Sequence, residues 1–565
     1  MKLLLTTLHS RYIHSSLALP CLAASCADIS GLKTVIREHT VNERPEKLLV
    51  AIAGENADVV AFSCYIWNID QTLRLAAELK LLRPETYIIL GGPEVSFFCH
   101  ELMLENPQID LIVRGEGEAS FRQLMLLLTS SLGEAIPDER LLEIGAITFR
   151  SGDEILSSPV TPEATALDSI PSPFAAGLAD ISKPLVYFES SRGCPFSCSF
   201  CLSSTEKGVR SFSMPRIKSD LSILMNQGVD TIKFVDRTFN FDAARADEIW
   251  GFILAHNNKS RFHFEIAADL LTDENIVLLS SVPPDTFRFE IGVQSTDSET
   301  LSDVERRSDL EKVFANVRSL KEETSVTVHL DLVAGLPGED LQGFGRSLEK
   351  VLALMPDHIQ IEPLKMLKGT AIRKSARDNG YSFSPYPPYR ILKNRWLTFE
   401  EICRIESTSE AVEDIYNSGR FKTVLEMISR HNSLAPLLTS QQFEKSSANN
   451  LPNLFESLLK RIEKVLPGLR EEARDALRFD YCMNGHPGKA LPHFLAAADE
   501  KECDSSRQPG YPEIAERLSL PAKSRFRAFT AVFARDYRQA GWPERHTVIT
   551  FAYCNGDSRQ KVLLC

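Results

Sequence analysis

Between residues 2 and 363, short apolar and β-branched runs alternate with amphipathic helical stretches, and the alternation restarts once. Parallel neighbours need a long crossover, so repeated strand–helix–strand units predict parallel sheets covered by helices. The first run places strands over 2–6, 33–39, 59–65, 87–90 and 109–113, with helices over 17–29, 45–54 and 69–82. It predicts an α/β, doubly wound (Rossmann-like) domain over 1–135. A hairpin pattern over 144–156 and a Ser- and Pro-rich stretch over 157–184 make 136–184 a connecting segment. The second run places strands over 185–189, 231–236, 262–267, 287–293, 326–333 and 358–363. Five helical stretches lie between them. Six such units are too few for a closed eight-unit barrel, so an open, partial (β/α)6 barrel is expected over 185–375. Beyond it, 376–565 is expected to be mostly helical, with helices over 397–417, 420–429, 441–465 and 470–481. Two aromatic, strand-like runs follow at 525–537 and 546–553.

The chain of 565 residues is too long for one core and predicts three or four domains. A net charge of −13 argues against a dedicated nucleic-acid binder, which would carry a basic face. No apolar run approaches the roughly 20 residues of a membrane helix, and the first residues are too few for a signal-peptide core. Twelve cysteines in such a chain are expected as buried thiols or metal ligands, and the expected compartment is the cytoplasm.

Three of those cysteines follow the first strand of the second run, as Arg192-Gly193-Cys194-Pro-Phe-Ser-Cys198-Ser-Phe200-Cys201. Three thiolates on one loop suit an iron–sulfur cluster that is one protein ligand short. A zinc knuckle completed by a distant Cys or His would use the same thiols.

The Cys-x3-Cys-x2-Cys spacing, with Phe200 before the last cysteine, resembles the signature of the radical SAM superfamily. The resemblance covers about 185–368. It implies a [4Fe-4S] cluster on Cys194, Cys198 and Cys201, with S-adenosyl-L-methionine (SAM) on the fourth iron. It also implies reductive cleavage of SAM to methionine and a 5′-deoxyadenosyl radical. Glu290-Ile-Gly-Val-Gln294-Ser295 and His329-Leu-Asp331 through Glu339 resemble the anaerobic coproporphyrinogen oxidase branch. That likeness implies SAM contacts at Glu265, Gln294, Arg306 and Asp331 beside Phe200. Carboxylates and an amide suit ribose hydroxyls and an ammonium, and arginine suits a carboxylate. Asp236, ending the second strand of this run, is a candidate for SAM or substrate, or a turn carboxylate capping the next helix.

A doubly wound domain ahead of such a barrel resembles the cobalamin-binding radical SAM class. The likeness implies cobalamin contacts at Ser63, Trp67, Asn68, Gly91, Gly92, Gly115 and Glu116. The Asp-x-His-x-x-Gly motif of the vitamin B12 mutases is absent, and His9 and His14 do not complete it. Cys21, Cys26, Cys64 and Cys99 raise a second cluster of the methylthiotransferase type, although two of them fall inside a predicted helix. The tail resembles a domain of unknown function that accompanies some of these enzymes. Together the resemblances imply a cobalamin-dependent radical SAM methyltransferase acting on an unactivated carbon of a substrate, small molecule or other, that the sequence does not identify. An electron donor such as flavodoxin or ferredoxin would serve it. A radical reaction without methyl transfer, or a non-catalytic corrinoid- or metal-binding protein, are the alternatives.

Overall fold

The computed structural model describes residues 1–131, 136–159, 166–205, 208–439, 450–488, 490–496, 513–514, 516, 526–555 and 560–564. The chain forms two compact units, Met1–Glu339 with Pro363–Thr398, and Asp340–Glu362 with Phe399–Cys565.

The first unit begins with a sheet of β1 (Lys2–His9), β2 (Lys33–Thr40), β3 (Val59–Ser63), β4 (Tyr87–Gly91), β5 (Leu111–Val113), β6 (Ile147–Ser151) and β7 (Glu154–Ser157). Their spatial order is β2-β1-β3-β4-β5-β6-β7. The pairs β1–β2, β1–β3, β3–β4 and β4–β5 are parallel, and β6 and β7 add antiparallel. The 144–156 hairpin therefore extends the first sheet, because Leu111–Val113 offers it a free edge. Helices cover both faces. Leu3, Leu5, Val59, Ala61 and Ile89 pack on one side, and Leu4, Val60, Phe62, Ile88 and Leu90 on the other. A sheet buried on both faces needs continuous apolar strands, which is why these runs do not alternate. β1 extends three residues past its expected end, since Thr7, Leu8 and His9 pair with Glu38, His39 and Thr40.

The second sheet of this unit contains β8 (Leu185–Phe188). A two-stranded ribbon follows at once, β9 (Ser191–Cys194) against β10 (Gly208–Ser211). The sheet continues with β11 (Thr231–Phe234), β12 (Arg261–Ile266), β13 (Phe287–Gln294) and β14 (Thr327–Ala334), all parallel, in the order β8-β11-β12-β13-β14. Its helix-covered face is aromatic. Phe188, Phe234, Phe239, Trp250, Phe264 and Phe289 form a chain of rings with centroids 4.6–6.2 Å apart. The sixth expected strand is present as β15 (His358–Pro363). Beyond it, the Leu364 N–H donates to the Ala334 carbonyl at 2.9 Å.

In the second unit the helix expected over 397–417 is Phe399–Ala411 followed by a π-helical turn, Val412–Asn417. Lys422–Ser429, Leu451–Val465 and Arg470–Asn484 supply further helices, and residues 441–449 of the expected third helix lie outside the described residues. Phe455 packs on Phe421 and Tyr481, and Asp480 accepts the Thr423 and Val424 N–H groups at 3.0 Å. The two aromatic runs pair antiparallel as Phe526–Arg535 and Glu544–Asn555, with Gln560–Leu564 as a third strand. Among the described residues no helix is long and apolar enough to cross a membrane.

Candidate active site at the strand ends

The inner face of the second sheet is polar. Alternate residues of its strands turn inward: Tyr187, Lys233, His263, Glu265, Glu290, Gln294, His329 and Asp331 are the polar partners of the buried aromatic and aliphatic positions between them. Lys233 Nζ lies 3.0 Å from Glu290 and 3.8 Å from Glu265, and His263 Nε2 lies 2.8 Å from Glu290. Burial pushes the Glu265 carboxyl up to about 7, against the pull of Arg237 and Lys233. Burial also opposes ionisation of Glu290. Its bonds to His263 and Lys233 outweigh that and hold it below the ordinary carboxylate range. Asp331, 3.1 Å from His329, is raised by burial.

At the carboxyl end of β13 the pairing with β14 slips by one residue between Gly292 and Gln294, and Gln294 has φ +70°. A non-glycine residue there is strained, and such strain and bulges gather at functional sites. Gln294 folds its amide back over Gly292, where a side chain would collide with it. Arg306 arrives at the same point. Its guanidinium donates to the Gly292 carbonyl and stands 3.6 Å from Cys198 Sγ. Gln294 Oε1 and Arg306 Nε are buried without a hydrogen-bond partner. Buried polar atoms are normally paired, and two without a partner that meet at Gly292 beside Cys198 suit a polar ligand there.

The three cysteines lie on the loop beside that place. Cys198 is buried, and Cys194, Cys201 and Phe200 are half-buried. The loop is pinned by the Ser199 N–H to Val304 O at 2.9 Å and the Cys201 N–H to Cys198 O at 3.0 Å. Cys194 Sγ is 3.4 Å from Thr238 Oγ1. Among the described residues no three His, Cys, Asp or Glu side chains are grouped as one metal ion requires. Three thiols that each bind a different iron of a cluster need no such convergence. The donor set therefore fits a cluster that leaves one iron for another ligand.

Asp236 is fully buried. It accepts the Ser190 N–H at 3.0 Å and both the Ser190 and Ser191 hydroxyls, so it ties the turn that leads into the cysteine loop. The following helix is capped by Asp242, which accepts the Arg245 N–H.

The N-terminal sheet presents its carboxyl ends nearby. Tyr187 Oη and His14 Nδ1 are 2.9 Å apart, and Ser15 Oγ donates to Leu185 O at 3.2 Å. Trp67 is stacked on Tyr65 and donates to Leu8 O at 3.1 Å. Asn68 is buried, bonding Thr7, Leu8 and Ser63 through its amide and accepting from Tyr65 N–H. Ser63 is buried at the end of β3, and Gly91 ends β4. At Gly92, φ +103°, a side chain would meet Cys64 O at 2.5 Å. Gly115, φ +66°, has open space around it. Glu116 is bound to Arg192 and Arg210. Tyr12, Ile13, Trp67 and Phe98 stand exposed on these loops. Exposed apolar side chains and small residues on the same strand-end loops suit a bulky ring ligand such as a corrin. The four cysteines of this sheet do not gather. Cys26 packs on one face and Cys64 and Cys99 on the other, and all four are buried.

Sequence reasoning missed Lys233, His263, Glu290 and Arg192. The first three were signalled by polar–aromatic alternation along β11, β12 and β13. Nothing local marked Arg192 as more than a turn residue.

Family models match three regions in order. They are a B12-binding domain over residues 4–125, the radical SAM superfamily over 188–351 and a protein family of unknown function, DUF4080, over 377–511. The chain is 24% identical over 363 residues to 2-(S-pantetheinyl)-carbapenam-3-carboxylate methyltransferase of Streptantibioticus cattleyicolor, covering 58% of this chain and 50% of that one. It is 31% identical over 167 residues to the anaerobic magnesium-protoporphyrin IX monomethyl ester cyclase of Cereibacter sphaeroides, covering 28% of this chain and 26% of that one. It thus spans half the length of the first of these curated relatives and about a quarter of the second. The solved structure of the cobalamin-dependent SAM radical enzyme OxsB, with aqua-cobalamin and SAM bound, has the same fold. Its TM-score is 0.60 at 14% identity, over 85% of this chain and 83% of that one.

Proposed function

From a chain that joins a B12-binding domain to a radical SAM domain, we infer a cobalamin-dependent radical SAM methyltransferase acting on an unactivated carbon of a small molecule. When bound, the cluster supplies the electron that cleaves SAM, and cobalamin supplies the methyl carrier. Cys194, Cys198 and Cys201 hold the cluster. Gln294 and Arg306 would take the polar groups of SAM with the atoms that now have no partner. Glu265 and Asp331 would serve its ribose and ammonium, and Phe200 would supply an aromatic contact. On the other side of the cleft, Ser63, Trp67, Asn68, Gly91, Gly92, Gly115 and Glu116 belong to the loops that receive cobalamin. The polar inner face holds reactants in one orientation, and the aromatic layer behind it keeps that face rigid. A small electron carrier such as flavodoxin or ferredoxin delivers the reducing electron.

The single observation that carries this reading is the joining of a B12-binding domain to a radical SAM domain in one chain, and the strained Gln294 bulge beside Arg306 and Cys198 supports its SAM site. The test is anaerobic reconstitution with cobalamin supplied, followed by iron, sulfide and corrinoid assays and product analysis. The wild-type chain should yield 5′-deoxyadenosine together with S-adenosylhomocysteine. Cys198→Ala should lose iron and lower SAM cleavage by about a hundredfold or more. Unchanged cleavage in that variant would sink the proposal. The likeness to the ester cyclase supports a second reading, a radical reaction without methyl transfer. It predicts 5′-deoxyadenosine with no S-adenosylhomocysteine.

A further inference from the structure

The ribbon that carries Cys194 has a feature that its own two strands do not stabilise. Arg192 in β9 and Arg210 in β10 are directly opposite each other. Like charges in that position repel. The relief comes from the first domain. Glu116 binds both arginines, bridging them, and Glu118 takes Arg192 at 2.6 Å. Glu189 completes the set at 3.0 Å from Arg192 Nε. The side chains of Arg192 and Glu118 are only 13% and 12% exposed, so water does little to screen them. Burial opposes the Glu118 charge, but Arg192 outweighs it and holds the carboxyl below its ordinary range.

The ribbon leaves little slack. Gly193, φ +92°, lies so close to the Gly208 carbonyl that any side chain would collide with it. Arg192 is two residues from Cys194, which itself sits opposite Gly208. On the other side, the Gly115 N–H donates to Ser96 Oγ at 3.0 Å, and Ser96 Oγ donates to Gly92 O at 2.9 Å. The loops after β4 and β5 are thereby tied through Glu116 to the backbone that presents Cys194.

We propose that Glu116 and Glu118 are positioning residues for the cluster: they hold the Arg192–Arg210 ribbon, and so Cys194, in register with the first domain. The Arg114-Gly-Glu-Gly-Glu118 loop serves the cluster through these ion pairs, in addition to any contact it makes with cobalamin. The proposal rests on the reading of Cys194 as a cluster ligand.

The experiment uses the full chain, reconstituted anaerobically with iron, sulfide and hydroxocobalamin, and compares wild type with the Glu116→Gln/Glu118→Gln pair. The readouts are iron content, the electron paramagnetic resonance spectrum of the reduced cluster with and without SAM, bound corrinoid and thermal melting. The expected result is a changed resonance spectrum and about a tenfold loss of 5′-deoxyadenosine yield per corrinoid bound. Glu118→Asp, which keeps the charge offered to Arg192, should leave the spectrum closer to wild type than Glu118→Gln does. An unchanged spectrum in the glutamine pair, or no difference between Glu118→Asp and Glu118→Gln, overturns the proposal. If the glutamine pair fails to fold, the comparison of Glu118→Asp with Glu118→Gln decides alone. Wild-type chain that binds no iron would instead defeat the functional reading before any variant is compared.

Discussion

In β4 of the N-terminal sheet, Ile88, Ile89 and Leu90 are all buried. In β13 of the second sheet, Phe287, Phe289, Ile291 and Val293 are buried while Arg288, Glu290, Gly292 and Gln294 are not. Both sheets are parallel and built from strand–helix units. The first spends both faces on packing and keeps its polar chemistry in loops at the strand ends. The second spends one face on packing and gives the other to charge. The difference shows how one kind of connectivity makes either a platform or a lined cavity. A platform can receive a ligand only on its edge loops, where Tyr12, Trp67 and Phe98 are exposed. A lined cavity can surround one.

The comparison is broken most sharply by truncating adjacent residues. In β4, Ile89→Ala and Leu90→Ala face opposite sides, and each should cost about 2–5 kcal/mol in chemical denaturation. In β13, Phe289→Ala should cost about 3–5 kcal/mol, because it leaves a hole against Trp250 and Phe264. Gln294→Gly on the other face should cost nothing and stabilise the SAM-free protein by up to about 1 kcal/mol, since it relieves a positive φ. If Gln294→Gly destabilised as Phe289→Ala does, the inner face would be core and the contrast would fail.

The same position gives the next largest effect. Gln294→Gly removes a proposed hydrogen-bonding group while leaving Arg306 in place. SAM binding, measured by equilibrium dialysis on reconstituted protein, should weaken about tenfold to a hundredfold, equivalent to roughly 1.4–2.7 kcal/mol. Unchanged affinity would remove Gln294 from the set of SAM contacts and leave its strain without a ligand to explain it.

What the sequence revealed follows the same division. Continuous apolar runs such as Val59–Ser63 placed the strands of the first sheet, because burial on both faces leaves no other composition. Cys194, Cys198 and Cys201 were legible because thiol chemistry needs few residues at fixed spacing. The antiparallel docking of β6 and β7 was not, since an edge strand's partner is chosen by geometry that leaves little trace in composition. The bulge at Gln294 was hidden for a similar reason. Gly-x-Gln describes many strand ends, and only the slip against β14 makes its amide fold over Gly292. The Arg192 network was least legible, as its partner Glu116 lies 76 residues earlier. The rest of the polar face was legible and passed over: Lys233, His263 and Glu290 alternate with buried apolar residues, as Glu265 does, which is the pattern of a sheet with one polar face.

The smallest effect tests whether the lumen is dry enough to act on charge. The Glu265 carboxyl stands at about 7 in the folded protein, raised by burial from its ordinary value of 4.5. Between those two values the unfolded chain has released the proton and the folded chain still holds it. Folded protein therefore binds more protons there, and stability falls as pH rises from about 4.5 to about 7, then levels off. The side chain keeps 27% exposure, so solvent screening leaves on the order of 1–2 kcal/mol of this effect. Glu265→Gln removes the ionisation and keeps the shape. In urea unfolding of SAM-free protein, the variant should gain about 1–2 kcal/mol relative to wild type between pH 5 and pH 8. A constant difference across that range would mean that water reaches Glu265 freely. The inner face would then be an open surface, with no more hold on charge than the loops of the first sheet.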